Sequence, residues 1–188
     1  MQNIHWYCKT PRIRQASSAL HDGAVIAYPT EGVWGLGCDP YNAEAVFHLL
    51  RLKDRPVEKG LILIADSLNT ARSCIPDVPD LPKLRQPTTW LIEHQGRVPY
   101  WVSGDSNKVA LRIIHHPLVA ALCKTFKGPI VSTSANPAGA APARSARQVS
   151  RYFGDALDVI LPGSLGNAAG PSQIIDWASG EIVRAKKV

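Results

Sequence analysis

Residues 24–39 read AVIAYPTEGVWGLGCD, and the parsing of this stretch decides the fold. Ala24–Tyr28 is an apolar run of buried-strand length. Pro29 stops it, because proline cannot donate to a neighbouring strand. Thr30 and Glu31 then place two polar side chains at the strand's mouth, and Gly32, Gly35 and Gly37 follow on nearly alternate positions. Glycine at that density lets backbone approach a ligand closely or take up positive φ. Open α/β sheets build ligand sites this way, with polar groups beyond a strand end followed by a glycine-rich turn. A tight β-turn with no ligand is the competing reading.

Working outward, Thr10-Pro11 reads as a helix cap followed by proline at the first helical position. Ile13, Ala16 and Leu20 fall on one face of that helix, and Asp22-Gly23 closes it. Asn42 caps a second helix whose buried stripe is Val46, Leu49 and Leu50 and which Pro56 forbids from continuing. Leu61–Ala65, Thr88–Ile92, Val109–Ile114 and Ile130–Thr133 read as strands. His116-Pro117 opens a helix with Leu118, Leu122 and Phe126 on its apolar face, ended by Gly128. Arg144–Phe153 is amphipathic, with Ala146, Val149 and Phe153 inward and Arg144, Arg147 and Arg151 on another face. Short strands are expected at Leu157–Leu161 and Gln173–Asp176, around a glycine-rich loop at Gly163–Gly170, and Glu181–Arg184 closes a hairpin. The prolines at 76, 79, 82 and 87 leave 66–87 the least regular segment. Strands alternating with helices argue an α/β fold: one domain, a twisted open mixed sheet with flanking helices.

The 188 residues suffice for a single domain with a real core. Apolar runs are too short to span a bilayer, and the N-terminus carries no stretch of signal-peptide length, so a cytoplasmic protein is expected. Cys8, Cys38, Cys74 and Cys123 are scattered, which makes buried free thiols the expectation. No protein metal site is expected. A net charge of +6 favours an anionic partner, nucleotide or RNA.

Three groups of residues can carry chemistry. Lys53 and Arg55, at i and i+2 where a helix ends, suit a polyphosphate, one as a point charge and one as a planar fork. The same pair equally suits the negative end of the helix macrodipole. Ser132-Thr133-Ser134-Ala135-Asn136 ends a strand, and alternation puts Ser132 and Ser134 on one face, able to meet one ligand. An ordinary turn leaving the strand is the other reading. Arg112 interrupts an apolar strand and needs a partner, which is either a substrate carboxylate or a structural acid such as Glu31 or Asp39. GLGCDP is not a dinucleotide fingerprint, no Walker lysine follows it, and no GxSxG nucleophile elbow is present.

YPTEGVWGLG (28–37), LKDRPVEKGLILIA (52–65), ALRIIHHPL (110–118), VSTSANPAG (131–139), PSQIID (171–176) and IVR (182–184) together resemble the YrdC family, most nearly its short bacterial threonylcarbamoyl-AMP synthases. The resemblance runs from about Gly23 to Arg184. It implies a YrdC-like domain over 1–188 with a concave basic face. It also implies synthesis of threonylcarbamoyl-AMP and pyrophosphate from L-threonine, bicarbonate and ATP, with magnesium carried in on ATP. Downstream enzymes would transfer the threonylcarbamoyl group to an adenosine next to the anticodon of tRNA. Carried over by motif, Lys53 and Arg55 hold the ATP phosphates as the catalytic cations. Lys59, Thr89, Ser134, Asn136 and Arg184 line ATP, while Thr30, Gly32, Arg112, Ser132 and Ser172 line threonine, with Arg112 on its carboxylate.

The chain departs from the family pattern at three places. Gly32 stands where many relatives carry a second threonine, Ile64 where longer members carry a histidine, and Leu84-Arg85-Gln86-Pro87 replaces Trp-Pro-Gly-Pro after a shortened segment. The last departure bears most on Thr89. The competing function is a non-catalytic module binding double-stranded RNA or tRNA through Arg144, Arg147, Arg151 and the tail Lys186-Lys187.

Overall fold

The computed structural model describes residues 4–82, 84 and 86–185. Strands β1 (Ile26–Pro29), β2 (Trp34–Gly37), β3 (Ile62–Ala65), β4 (Thr88–Glu93), β5 (Lys108–Ile113), β6 (Ile130–Ser134), β7 (Val159–Ile160), β8 (Gln173–Asp176) and β9 (Ile182–Arg184) form one open sheet. Its order is β7-β1-β2-β6-β3-β5-β4-β8-β9. The sheet is mixed: β1–β7, β3–β5 and β4–β8 pair parallel, and the other neighbours pair antiparallel. The α/β fold read from the sequence is the one adopted.

The opening stretch folds differently from its reading in one respect. Gly35 and Gly37 lie in β2, not in a turn, and pair with Tyr28 and Ile26 across a hairpin. The turn is confined to 30–33, where the Thr30 N–H and hydroxyl both donate to the Val33 carbonyl, at 3.1 and 2.7 Å. The glycines are needed because the Tyr28 ring lies over them. A Cβ at Gly37 would meet the Tyr28 hydroxyl at 2.6 Å and the Val131 carbonyl at 2.3 Å.

Seven helices occur among the described residues: α1 (Ile4–Cys8), α2 (Pro11–His21), α3 (Ala43–Leu52), α4 (Leu68–Ala71), α5 (Tyr100–Ser103), α6 (Pro117–Phe126) and α7 (Ala146–Phe153). Asn42 caps α3 as expected, accepting from the Ala45 N–H at 3.0 Å. Thr10 makes no side-chain cap to α2; its hydroxyl donates to the Tyr7 carbonyl. At the end of α6 the left-handed position falls on Lys127, φ 64°, one residue before the expected Gly128. Helix α7 starts two residues late, because Ser145 caps it.

Period-two alternation divides the core into two layers. Val25, Ala27, Leu63, Leu111 and Val131 face one side, under α3 and α7. Ile26, Tyr28, Ile64, Ile114 and Ile130 face the other, under α2 and α6. Helices α2 and α6 cover only part of that second face. Cys38, Cys74 and Cys123 are buried free thiols, while Cys8 is free and half-buried. No helix among the described residues is long and apolar enough to cross a membrane.

Candidate active site

The uncovered part of the second face is the floor of a cavity. Gly35, Ile62, Ile64, Arg112, Ser132 and Ser134 line it from alternate positions of β2, β3, β5 and β6, with Trp34 and Thr133 from intervening positions. Thr30, Pro171 and Ser172 form one wall, and Arg55 and Arg184 reach in from outside the floor. The parity that put Ser132 and Ser134 on one face therefore delivers both hydroxyls to one space.

Three guanidiniums converge here. Arg55 follows α3 through Asp54, whose φ of 46° turns the chain out of the helix. Its Nε and Nη2 donate to the Gly60 carbonyl at 3.1 and 2.7 Å, which fixes the fork on the turn before β3. Arg184 donates to the Ser172 carbonyl at 2.8 Å. Burial lowers the pKa of both groups, and Arg112 and Arg55 lower that of Arg184 further. This effect of two neighbouring cations on Arg184 means that an arriving anion relieves repulsion as well as making bonds. Arg112 is ion-paired to Glu31. Neither Arg55 nor Arg184 is within ion-pair distance of a carboxylate among the described residues.

Lys53 sits behind this cavity. It is buried, and its Nζ donates to the carbonyls of Ser134 at 2.5 Å and Asn136 at 2.7 Å. Two of its three N–H groups thus hold the backbone of the Ser-Ala-Asn segment. Burial, with Arg55 adding, lowers its pKa to about 8. Asn136 donates to the carbonyls of Pro137 and Ala140, which leaves its buried Oδ1 without a partner. Lys59 is exposed and contributes only its carbonyl, to Arg55.

On the other side, loop 163–172 is strapped to the β1–β2 turn. Gly166 N–H donates to the Thr30 carbonyl at 3.0 Å, and Ala168 N–H to the Glu31 carbonyl at 2.8 Å. A Cβ on Gly32 would lie 2.2 Å from the Gly170 carbonyl oxygen, so this close approach requires glycine. Gly32 presents backbone only, and its carbonyl accepts from Arg144 at 3.4 Å. Thr89 is fully buried, and its hydroxyl bonds the Ser172 hydroxyl at 2.7 Å. It touches the cavity through Ser172, not directly.

Sequence reasoning missed Arg144 as a neighbour of this mouth, having placed it on the helix face with Arg147 and Arg151. The Ser145-x-x-Gln148 cap signature puts the helix cap one residue beyond it, leaving Arg144 outside the helix face. Arg147 and Arg151 are exposed on α7, and Lys186-Lys187 lie outside the described residues, as does Arg85. Among the described residues no group of three or more His, Cys, Asp or Glu side chains could hold a metal ion.

The Sua5/YciO/YrdC family model, described as telomere recombination, matches residues 18–186. The chain belongs to this family. It is 48% identical over 180 residues to the threonylcarbamoyl-AMP synthase of Cellvibrio japonicus, covering 93% of this chain and 95% of that one. It is 51% identical to the synthase of Pseudomonas syringae pv. syringae, again over 180 residues, covering 93% and 97%. Among solved structures, P. abyssi Sua5 complexed with L-threonine superposes with a TM-score of 0.80 at 26% identity. That match covers 89% of this chain and 51% of the other, so the chain spans about half the length of that relative. E. coli YciO shares the fold, with a TM-score of 0.77 at 22% identity over 92% and 87% of the chains.

Proposed function

We propose that the chain is an L-threonylcarbamoyladenylate synthase acting in modification of tRNA next to the anticodon. The observation that carries this reading is one cavity holding Arg55, Arg112 and Arg184 together with the hydroxyls of Ser132, Ser134 and Ser172. Three cations and no nucleophile–base pair suit a displacement driven by positioning and charge neutralisation.

Threonine lies with its carboxylate on Arg112 and its polar groups toward Thr30, Ser132 and Ser172. Its free amine adds to bicarbonate-derived carbon dioxide, forming a C–N bond and, after loss of a proton, a carbamate. A carbamate oxygen then attacks the α-phosphorus of ATP, and the bond to pyrophosphate breaks with the electron pair leaving on pyrophosphate. Arg55 and Arg184 hold the departing phosphates, with magnesium entering as part of the nucleotide. Lys53 contributes its positive charge from below and holds the backbone at 134–136, which sets Ser134 and Asn136 against the nucleotide. Lys59, exposed beside Arg55, is the outermost cation available to ATP. Thr89 acts by holding Ser172. The product passes to threonylcarbamoyl-transfer enzymes, with tRNA as the final acceptor.

Pyrophosphate release by the purified protein tests this reading. Release that requires both L-threonine and bicarbonate is expected, with serine and glycine weaker. ATP turnover indifferent to threonine would overturn it. Tight, salt-sensitive RNA binding without any such release would support the binding-module alternative.

A further inference from the structure

We infer that Glu31 is a positioning residue that reserves Arg112 for a carboxylate and denies it to phosphate. The inference rests on the functional reading above, and it is drawn from one residue with three attachments, two of them to its carboxylate. Glu31 Oε2 accepts from Arg112 Nη2, Oε1 accepts from the His115 N–H at 2.8 Å, and the Glu31 main-chain carbonyl accepts from Ala168. The residue thereby joins the β1–β2 turn, the exit of β5 and loop 163–172. The side chains of Glu31 and Arg112 are only 16% and 12% exposed, so the pair is held by its surroundings.

The asymmetry of charge across the cavity gives this contact its meaning. Among the described residues Arg55 and Arg184 bond only to carbonyl oxygens, and neither is paired with an acid. Of the three, only Arg112 is balanced by an acid among the described residues. A triphosphate entering this space meets two unbalanced cations and one that is half-neutralised. It is steered toward Arg55 and Arg184, because a phosphate near Arg112 would also face the Glu31 carboxylate. A singly charged amino-acid carboxylate loses less by that proximity and gains a guanidinium whose fork is already aimed. Glu31 therefore divides the three guanidiniums between two different anions.

The test uses the full-length enzyme with Glu31→Gln and Glu31→Asp. Gln keeps the shape and the acceptor for His115 but removes the charge, and Asp keeps the charge. For Glu31→Gln the calorimetric Kd for pyrophosphate should fall roughly tenfold or more, the scale of unmasking one charge-assisted contact, while the Kd for threonine measured without phosphate should not rise. The KM for ATP should stay within about twofold. Pyrophosphate should become competitive with threonine, because phosphate now reaches Arg112; Glu31→Asp should restore the parental pattern in part. A merely structural role would move the threonine and ATP parameters together with the melting temperature, and would leave the pyrophosphate pattern unchanged; that result overturns the inference. If the parent enzyme makes no adenylate, the activity assignment falls. Calorimetry of parent and Glu31→Gln with threonine and with pyrophosphate then still decides the role of Glu31, and a parent that binds no threonine overturns both.

Discussion

Gly32→Ala adds a single methyl group at the point where the β1–β2 turn and loop 163–172 meet. The added Cβ would lie 2.2 Å from the Gly170 oxygen, 2.9 Å from its carbonyl carbon and 3.2 Å from its nitrogen. All three atoms are backbone, so no side-chain rotation relieves the clash. The loop must withdraw by about 1 Å to restore ordinary contact, which strains the bonds from Gly166 to Thr30 and from Ala168 to Glu31. Overpacking of this kind costs about 1–3 kcal/mol. At about 2 kcal/mol the melting temperature of a chain this size falls by roughly 4–8 °C. Because Ser172 sits at the end of the displaced loop, the KM for threonine should rise about tenfold, as a misplacement near 1 Å costs at least that much. The assays are a thermal melt and threonine-dependent pyrophosphate release. Gly128→Ala is the control: its Cβ meets only Phe126 ring atoms at 3.6 and 3.7 Å, and the change should stay within about 0.5 kcal/mol. A Gly32→Ala enzyme that melts and turns over like the parent would refute the close approach on which this reasoning depends.

Other outcomes follow from the same geometry. Arg55→Ala should lower kcat/KM by about 100- to 1,000-fold with the far-UV spectrum retained, because its bonds serve only the turn at 59–60. Lys53 loses its charge as pH rises through about 8, so ATP affinity measured by calorimetry should fall across that value, and Lys53→Met should remove the step while weakening binding at every pH. The hydrogen bond from Lys108 holds the Asp176 carboxyl below its ordinary value of 3.8. A carboxylate depressed in the fold stabilises it above the ordinary value and loses that contribution as pH falls, so Asp176→Asn should flatten the acid limb of melting temperature against pH. Thr89→Val should cost about 1 kcal/mol in a denaturant melt and raise the KM for threonine, since it removes the partner of Ser172.

Much of this was legible in the sequence, for local reasons. Stripes such as Ile13, Ala16 and Leu20, or Val46, Leu49 and Leu50, are buried as the helical period requires. Alternation alone put Ser132 and Ser134 on one face, and both line the cavity. The β2 strand was hidden because its glycines answer to the Tyr28 ring on the neighbouring strand, not to a turn. Non-local pairings were out of reach. Glu31 and Asp39 were equal candidates for Arg112 until the fold closed the 81 residues between Glu31 and Arg112. Likewise nothing local announces that Lys53 spends two bonds on carbonyls 81 and 83 residues away, or that Thr89 meets Ser172 across 83.

The most direct test of the central claim is incubation of the enzyme with ATP, L-threonine and isotopically labelled bicarbonate, followed by mass spectrometry of the adenylate formed. The expected product is an adenylate that carries both threonine and the labelled carbon, formed in step with pyrophosphate and lost when Arg55 is replaced by alanine. Pyrophosphate released without a labelled threonylcarbamoyl adenylate, or an adenylate lacking the label, would contradict it.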